Sequence, residues 1–328
     1  MFCNQECFIE DFELDDSAYA FKHIPSNVKT LLMLNVLIKH MDLLVLEKLP
    51  RSVDTLHIQL SYALKWISIP RTLRWVTVVN SKLRRIDIAA NSLMNYLDIS
   101  SSDVVKVPLT IQNARKLSYL RISSSKLSAI DFATFCDHTA MKELLLDDNK
   151  IRVIANSANR YCGIYDSLIS LVLSQNKLTA VNMELFNVFV KLNVLSLQSS
   201  SITSISGHLA LETLSDLWMD GNGLEQLDLC GWNVPSLSNL ALAANLLTLV
   251  PECINNLTNV HTLTLSSNRI FYFTIESVAK MSSLRTLKTD LAVLVNLSRG
   301  GYISIIDNWW ENWKQFYDHI STANMNIN

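Results

Sequence analysis

An eleven-residue pattern, L-x-x-L-x-L-x-x-N-x-L, recurs along this chain of 328 residues and narrows its folding options more than any other feature. Residues 117–127 read LSYLRISSSKL, 141–151 read MKELLLDDNKI, and 168–178 read LISLVLSQNKL. Residues 192–202, 214–224, 237–247 and 260–270 read LNVLSLQSSSI, LSDLWMDGNGL, LSNLALAANLL and VHTLTLSSNRI. Weaker copies begin at Val28, Val53, Leu73, Met94 and Leu284, which brings the total to about twelve, spaced 20 to 27 residues apart. A single match would carry little weight, whereas seven clean ones at a steady period define an internal repeat.

The alternation of the Leu-x-Leu step places those side chains on one face of a short strand. One such strand cannot shield its apolar face, so neighbouring copies must stack to bury a continuous core. The pattern and period match leucine-rich repeats and predict an α/β solenoid, a horseshoe of about twelve coils with a parallel β-sheet on its concave side. Asn149, Asn176, Asn222, Asn245 and Asn268 hold the ninth template position, where an amide can bond backbone groups left unpaired in the turn. Ser61, Ser81, Ser102, Ser125 and Ser200 stand there in other coils, and the weaker hydroxyl predicts a less regular N-terminal half. Phe135 and Phe186 each precede a repeat start by six residues, where extracellular-type repeats place a convex-side phenylalanine.

The end coils need covers. Residues 1–27 form the N-terminal cap, with Phe8, Phe12, Leu14, Tyr19 and Phe21 available to pack on the first coil, and residues 28–301 form the solenoid. Residues 302–328 form a C-terminal amphipathic helix and tail, because Ile306, Trp309, Trp313, Phe316 and Ile320 step by three and four. Asn308 and Glu311 resemble a capping box there. The stripe reads as a short cap or as the start of a coiled coil. With 49% hydrophobic residues the chain can bury a large core, and a net charge of -2 makes nucleic acid a poor partner. No apolar run approaches the roughly 20 residues that span a bilayer, and no signal peptide is present in this sequence.

Cys230 lies seven residues before Leu237 and Cys253 seven before Val260, while Cys136 and Cys162 lie five and six before their repeat starts. Equal phase in adjacent coils sets Cys230 and Cys253 about one strand spacing apart, roughly 4.8 Å and within reach of a disulfide, and Cys136 and Cys162 are also stacked neighbours once the slightly long loop is allowed for. The spacing predicts Cys230–Cys253 and Cys136–Cys162 bonds, leaving Cys3 and Cys7 to pair with each other or with another chain. Disulfides imply an oxidising compartment. The triplets at Asn256 and Asn296 are N-glycosylation acceptors compatible with secretion.

No nucleotide-binding loop, nucleophile elbow or metalloprotease motif occurs. Cys136 and His138 superficially suggest a thiol dyad, but they read better as a disulfide cysteine beside a surface histidine. Cys3, Cys7 and His23 lack the second half of a zinc site. The chain is expected to have no catalytic residues, no cofactor and no metal.

Binding residues are expected on the concave side, between the template leucines. At the third position Trp75, Tyr96 and Tyr119 fall in three successive coils and should stack as an exposed ladder, followed by Glu143. The fifth position adds Asp98, Arg121 and, further along, Trp218. Exposed Trp, Tyr and Arg are the residue types that make binding hot spots.

Three segments are more distinctive than the repeat: TIQNARKLSYLRISSSKL (110–127), ANSANRYCGIYDSLISLVLSQNKL (155–178) and LDLCGWNVPSL (227–237). They resemble the mosquito leucine-rich-repeat immune family, particularly the Anopheles Plasmodium-responsive leucine-rich-repeat proteins. The resemblance implies a secreted haemolymph protein of innate immunity. Its expected partners are proteins: a complement-like thioester protein or another leucine-rich-repeat protein. It also makes Cys136, Cys162, Cys230 and Cys253 structural cysteines. The family's long coiled coil is absent and no cysteine follows Cys253, so a heterodimer would have neither device to rest on. Two other readings fit the same repeats: an ectodomain fragment of a Toll-type receptor or adhesion protein, and an intracellular regulator.

Overall fold

A computed structural model describes residues 2–4, 6–13, 17–271, 273, 277–289 and 304–305. The amphipathic stripe from Ile306 to Ile320 lies outside them, as do Leu14 and Asn296. Among the described residues, every template copy contributes one strand to a single fifteen-stranded sheet. All neighbours pair in parallel except the first, Phe2–Cys3, which forms an antiparallel hairpin with Cys7–Glu10. The register follows the template: Thr30 pairs with Thr55, Thr55 with Trp75, Trp75 with Tyr96, Tyr96 with Tyr119 and Tyr119 with Glu143.

The template leucines form the core. Leu117, Leu120, Ile122 and Leu127 are fully buried, as are their counterparts Leu168, Leu171 and Leu173 one coil pair further on. The chain returns through small parallel sheets such as His40–Met41, Trp66–Ile69 and Arg85–Ile88, and through one-turn 3-10 helices such as Phe132–Phe135 and Met183–Phe186. Phe135 and Phe186 are buried in those turns.

The eighth template position, which the pattern leaves open, has one conformation throughout. It is left-handed from Asn35 (φ 50°) and Leu60 (φ 52°) through Ser124 (φ 46°) and Gly221 (φ 67°) to Ser267 (φ 56°). A non-glycine residue there costs roughly 1–2 kcal/mol, and inter-coil bonds hold it: Leu60 N–H donates to Val79 O at 3.2 Å and Gln175 N–H to Gln198 O at 2.8 Å. Asp11 (φ 53°) follows the same rule. The segment from Cys7 is therefore a partial coil that the pattern search missed, and its strand extends the sheet ahead of Val28. Behind it Phe12 and Phe21 stack at 5.4 Å, both buried, whereas Tyr19 is 72% exposed and Phe8 half-buried, so those two do not serve as core covers.

The expectation of a less regular N-terminal half is wrong. Strands in the four N-terminal serine coils run five residues (Thr55–Gln59, Trp75–Val79, Tyr96–Ser100, Tyr119–Ser123), whereas asparagine coils have three (Glu143–Leu145, Ser170–Val172), as does the Ser200 coil that lies between two of them (Val194–Ser196). The reason is local. Each asparagine amide donates to the sixth-position carbonyl of the preceding coil: Asn149 to Ile122, Asn176 to Leu146 and Asn245 to Met219. Where one serine coil follows another, strand pairing continues past that point, as in Ile99↔Ile122 and Ser100↔Ser123, whereas Asn222 takes Leu197 O of the Ser200 coil and pairing there stops at three residues. The amide thus replaces ladder pairing with a side-chain clamp, which also accepts the N–H of Ile151 or Leu127.

Asn176 makes four such bonds, to Leu146 O, Leu173 O, Ser174 O and Ile151 N. Asn176→Ala should cost about 2–4 kcal/mol, because it orphans several buried backbone groups. Ser102→Ala should cost about 1 kcal/mol. Urea unfolding of both variants checks this, and equal penalties would contradict the clamp.

Candidate functional site

The in-register pairing places same-phase side chains one strand spacing apart. On the open face of the sheet this stacks Trp75 on Tyr96 (centroids 3.6 Å, planes 9° apart) and Tyr96 on Tyr119 (4.3 Å, 7°). Trp75 is 41% exposed and the two tyrosines half-buried. Burial, reinforced by a hydrogen bond to Tyr119, pushes the Tyr96 phenol well above its ordinary value. Burial also raises that of Tyr119.

Beside the column runs a polar network. Arg121 donates from Nε to Ser123 Oγ at 2.9 Å and from Nη2 to Asp147 at 3.4 Å. Ser123 meets Ser100 at 3.0 Å, and Ser100 donates to Asp98. Burial raises the Asp98 carboxyl despite the opposing pull of Ser100 and Arg121. Burial works against the Arg121 charge, but Asp147 and Asp98 outweigh it and hold the guanidinium firmly protonated. One coil beyond Tyr119, Glu143 is exposed and has no ion pair among the described residues.

The structure therefore brings together Trp75, Tyr96, Asp98, Tyr119, Arg121 and Glu143, and leaves Trp218 three coils beyond Glu143. Trp218 is half-buried between engaged carboxylates: Asp216 accepts from Asn239 at 2.7 Å, and Asp220 from Gln198 at 2.9 Å and the Ala243 N–H at 2.7 Å. Reading only the third and fifth template positions missed Ser100, Ser123 and Asp147. They sit at the seventh, on the same face, and strand alternation alone would have found them. Over the third, fifth and seventh positions the face carries Glu6, Glu10, Asp98, Glu143, Asp147, Asp216 and Asp220 against Arg121 and Lys288. A recess of about 450 Å³ opens at its N-terminal end beside Phe8, Leu32 and Glu6.

The cysteines form Cys136–Cys162, Cys230–Cys253 and Cys3–Cys7 bonds, with Cα atoms 4.1, 5.0 and 4.1 Å apart. Asp228 lies near Cys230 and Cys253, but sulfurs joined to each other are not thiolate ligands for a metal. His138 is fully buried, not a surface residue as its sequence context implied. Its Nε2 lies 3.1 Å from Ile111 O, and burial lowers its pKa. Asn256 and Thr258 are exposed at the end of a 3-10 turn. No helix among the described residues is long and apolar enough to cross a membrane.

Solved structures share this architecture. Over 76% of this chain it superposes on 78% of a chain from the octameric complex of Latrophilin 3, Unc5D and FLRT2 (LRR), with a TM-score of 0.58 and 19% identity. The chain has the leucine-rich-repeat fold. The LRIM1 leucine-rich repeat domain also superposes, with a TM-score of 0.51 and 15% identity over 69% of this chain and 78% of that one. At such identities the likeness concerns the fold alone. Among curated proteins, rat lumican is 26% identical over 49% of this chain and 55% of its own length. Mouse lumican is 32% identical over 42% of the chain and 40% of its own length. Human leucine-rich repeats and immunoglobulin-like domains protein 1 is 27% identical over 52% of the chain and 16% of its own length. This leucine-rich-repeat chain thus spans about half or less of the relatives it matches. It matches no protein-family profile.

The stacked tyrosines make a spectroscopic prediction. Their folded pKa values lie above the ordinary 10.0. Their contribution to stability is therefore complete below pH 10 and is lost as pH rises through the folded values. Alkaline titration followed at 295 nm should show tyrosines ionising late, with Tyr96→Phe removing one of them. Ionisation of every tyrosine near pH 10 in still-folded protein would contradict the stacked, buried arrangement.

Proposed function

We propose that this chain is a non-enzymatic, extracellular leucine-rich-repeat scaffold that binds a protein partner through the open face of its N-terminal half. The observation that carries this reading is the pre-stacked Trp75–Tyr96–Tyr119 column on the open face of the sheet, with Trp75 exposed and both tyrosines half-buried. Large aromatics already held in place lose little freedom on binding, which favours affinity. The three disulfides fit an oxidising compartment and weigh against the intracellular regulator. The accessible Asn256 triplet is assigned as a glycan acceptor, a role Asn296 would share.

The finer reading follows the resemblance of residues 100–270. The chain acts in innate immunity in haemolymph, holding a complement-like thioester protein or pairing with a second leucine-rich-repeat protein. A receptor or adhesion ectodomain remains the second reading, supported by the 16% share of the immunoglobulin-containing relative that the chain covers.

Affinity capture from haemolymph with wild-type chain and Trp75→Ala tests the first reading. The expected result is a thioester protein, identified by mass spectrometry, retained by the wild type and reduced at least about tenfold by the variant, as a hot-spot loss would produce. Equal retention by both would remove the column from the binding surface.

A further inference from the structure

We infer that the open face seats an arginine-bearing, extended cationic segment of the partner, with one guanidinium against the outer ring face of Tyr119 and hydrogen-bonded to the carboxylate of Glu143. This rests on the reading of that face as the binding surface and adds the chemistry of what it takes.

Three observations lead there. First, the column's inner ring faces are already used, since Trp75, Tyr96 and Tyr119 cover one another at 3.6 and 4.3 Å. Among the described residues no further ring stacks on its two outer faces. The Trp75 end borders Thr55, a residue without charge. The Tyr119 end borders Glu143, exposed and without an ion pair among the described residues. Second, Arg121, the cation beside the column, is already engaged: it is bound by Asp147 at 3.4 Å and anchored on Ser123. It cannot neutralise Glu143 without breaking that network. Third, among the described residues the face carries seven carboxylates against Arg121 and Lys288, with Asp98, Glu143 and Asp147 in the coils at or next to the column. This excess of negative charge along the face attracts a cationic segment and speeds its approach.

Arginine fits this step better than lysine. Its guanidinium is flat, stacks on an aromatic face and offers paired donors to a carboxylate. Placed on Tyr119 it extends the column by one layer, and the coil spacing of roughly 4.8 Å brings Glu143 alongside. An ammonium would gain the charge attraction but neither the stacking nor the forked hydrogen bonds.

The test uses the full chain and three fluorescent nine-residue peptides, all arginine, all lysine and all glutamate, measured by anisotropy at 150 mM salt. The arginine peptide is expected to bind at least about tenfold tighter than the lysine peptide, and the glutamate peptide not at all. Glu143→Gln, an exposed change that should leave folding intact, is expected to weaken arginine binding about tenfold. Glu212→Gln, an exposed carboxylate off this face, should leave it unchanged. Equal binding of arginine and lysine, or equal losses in both variants, would overturn the site in favour of diffuse attraction. Absence of arginine binding would overturn it too. If Trp75→Ala still abolished thioester-protein capture in that case, the binding face would stand and only its cationic chemistry would fall.

Discussion

Everything in this molecule depends on the in-register pairing of one short strand per coil. Parallel pairing joins residues of equal template phase, from Thr30↔Thr55 to Thr262↔Thr286. Because the phase never slips, a property written at one position in successive repeats becomes a continuous stripe in space. Leucines become a core, the eighth residues become a line of left-handed turns, and the ninth become a ladder of clamps. The same rule makes the aromatic column and brings two pairs of cysteines within bonding distance.

The clamp residue divides the molecule. Asparagine takes the sixth-position carbonyl of the preceding coil, which shortens the strand but gains several buried hydrogen bonds. In the run of N-terminal serine coils no amide takes that carbonyl, and the strands lengthen to five residues, whereas Ser200, between two asparagine coils, keeps a three-residue strand. The column stands on those longer strands, where two more paired residues per coil fix the spacing of the rings. Trp218 stands on three-residue strands among hydrogen-bonded carboxylates, and no second ring stacks on it among the described residues. The proposed binding surface therefore coincides with the most extended part of the sheet.

Much of this was legible in the chain, for one reason: a strict period converts sequence spacing into three-dimensional adjacency. Repeat starts, the Trp75–Tyr96–Tyr119 stack and the Cys230–Cys253 pair follow from phase alone, and Cys136–Cys162 follows once one residue is allowed for its longer loop. The features that escaped are those the period does not encode. Cys7–Glu10 carries the strand and turn of a coil but breaks the apolar pattern at its edges. The strand-length difference depends on which carbonyl a side chain captures, and not on hydrogen-bond strength, so weaker serine bonds led to the wrong half. His138 looked like a surface group because its burial comes from a neighbouring coil, through contact with Ile111. The Asp147–Arg121–Ser123 network needed a third position on the same strand face to be read.

The most direct test of the register is disulfide mapping by non-reducing peptide mass spectrometry on secreted protein. The account predicts Cys136 linked to Cys162, Cys230 to Cys253 and Cys3 to Cys7, with no other pairs. Different pairings in folded protein would contradict the coil register, and free thiols at all six would contradict the extracellular assignment.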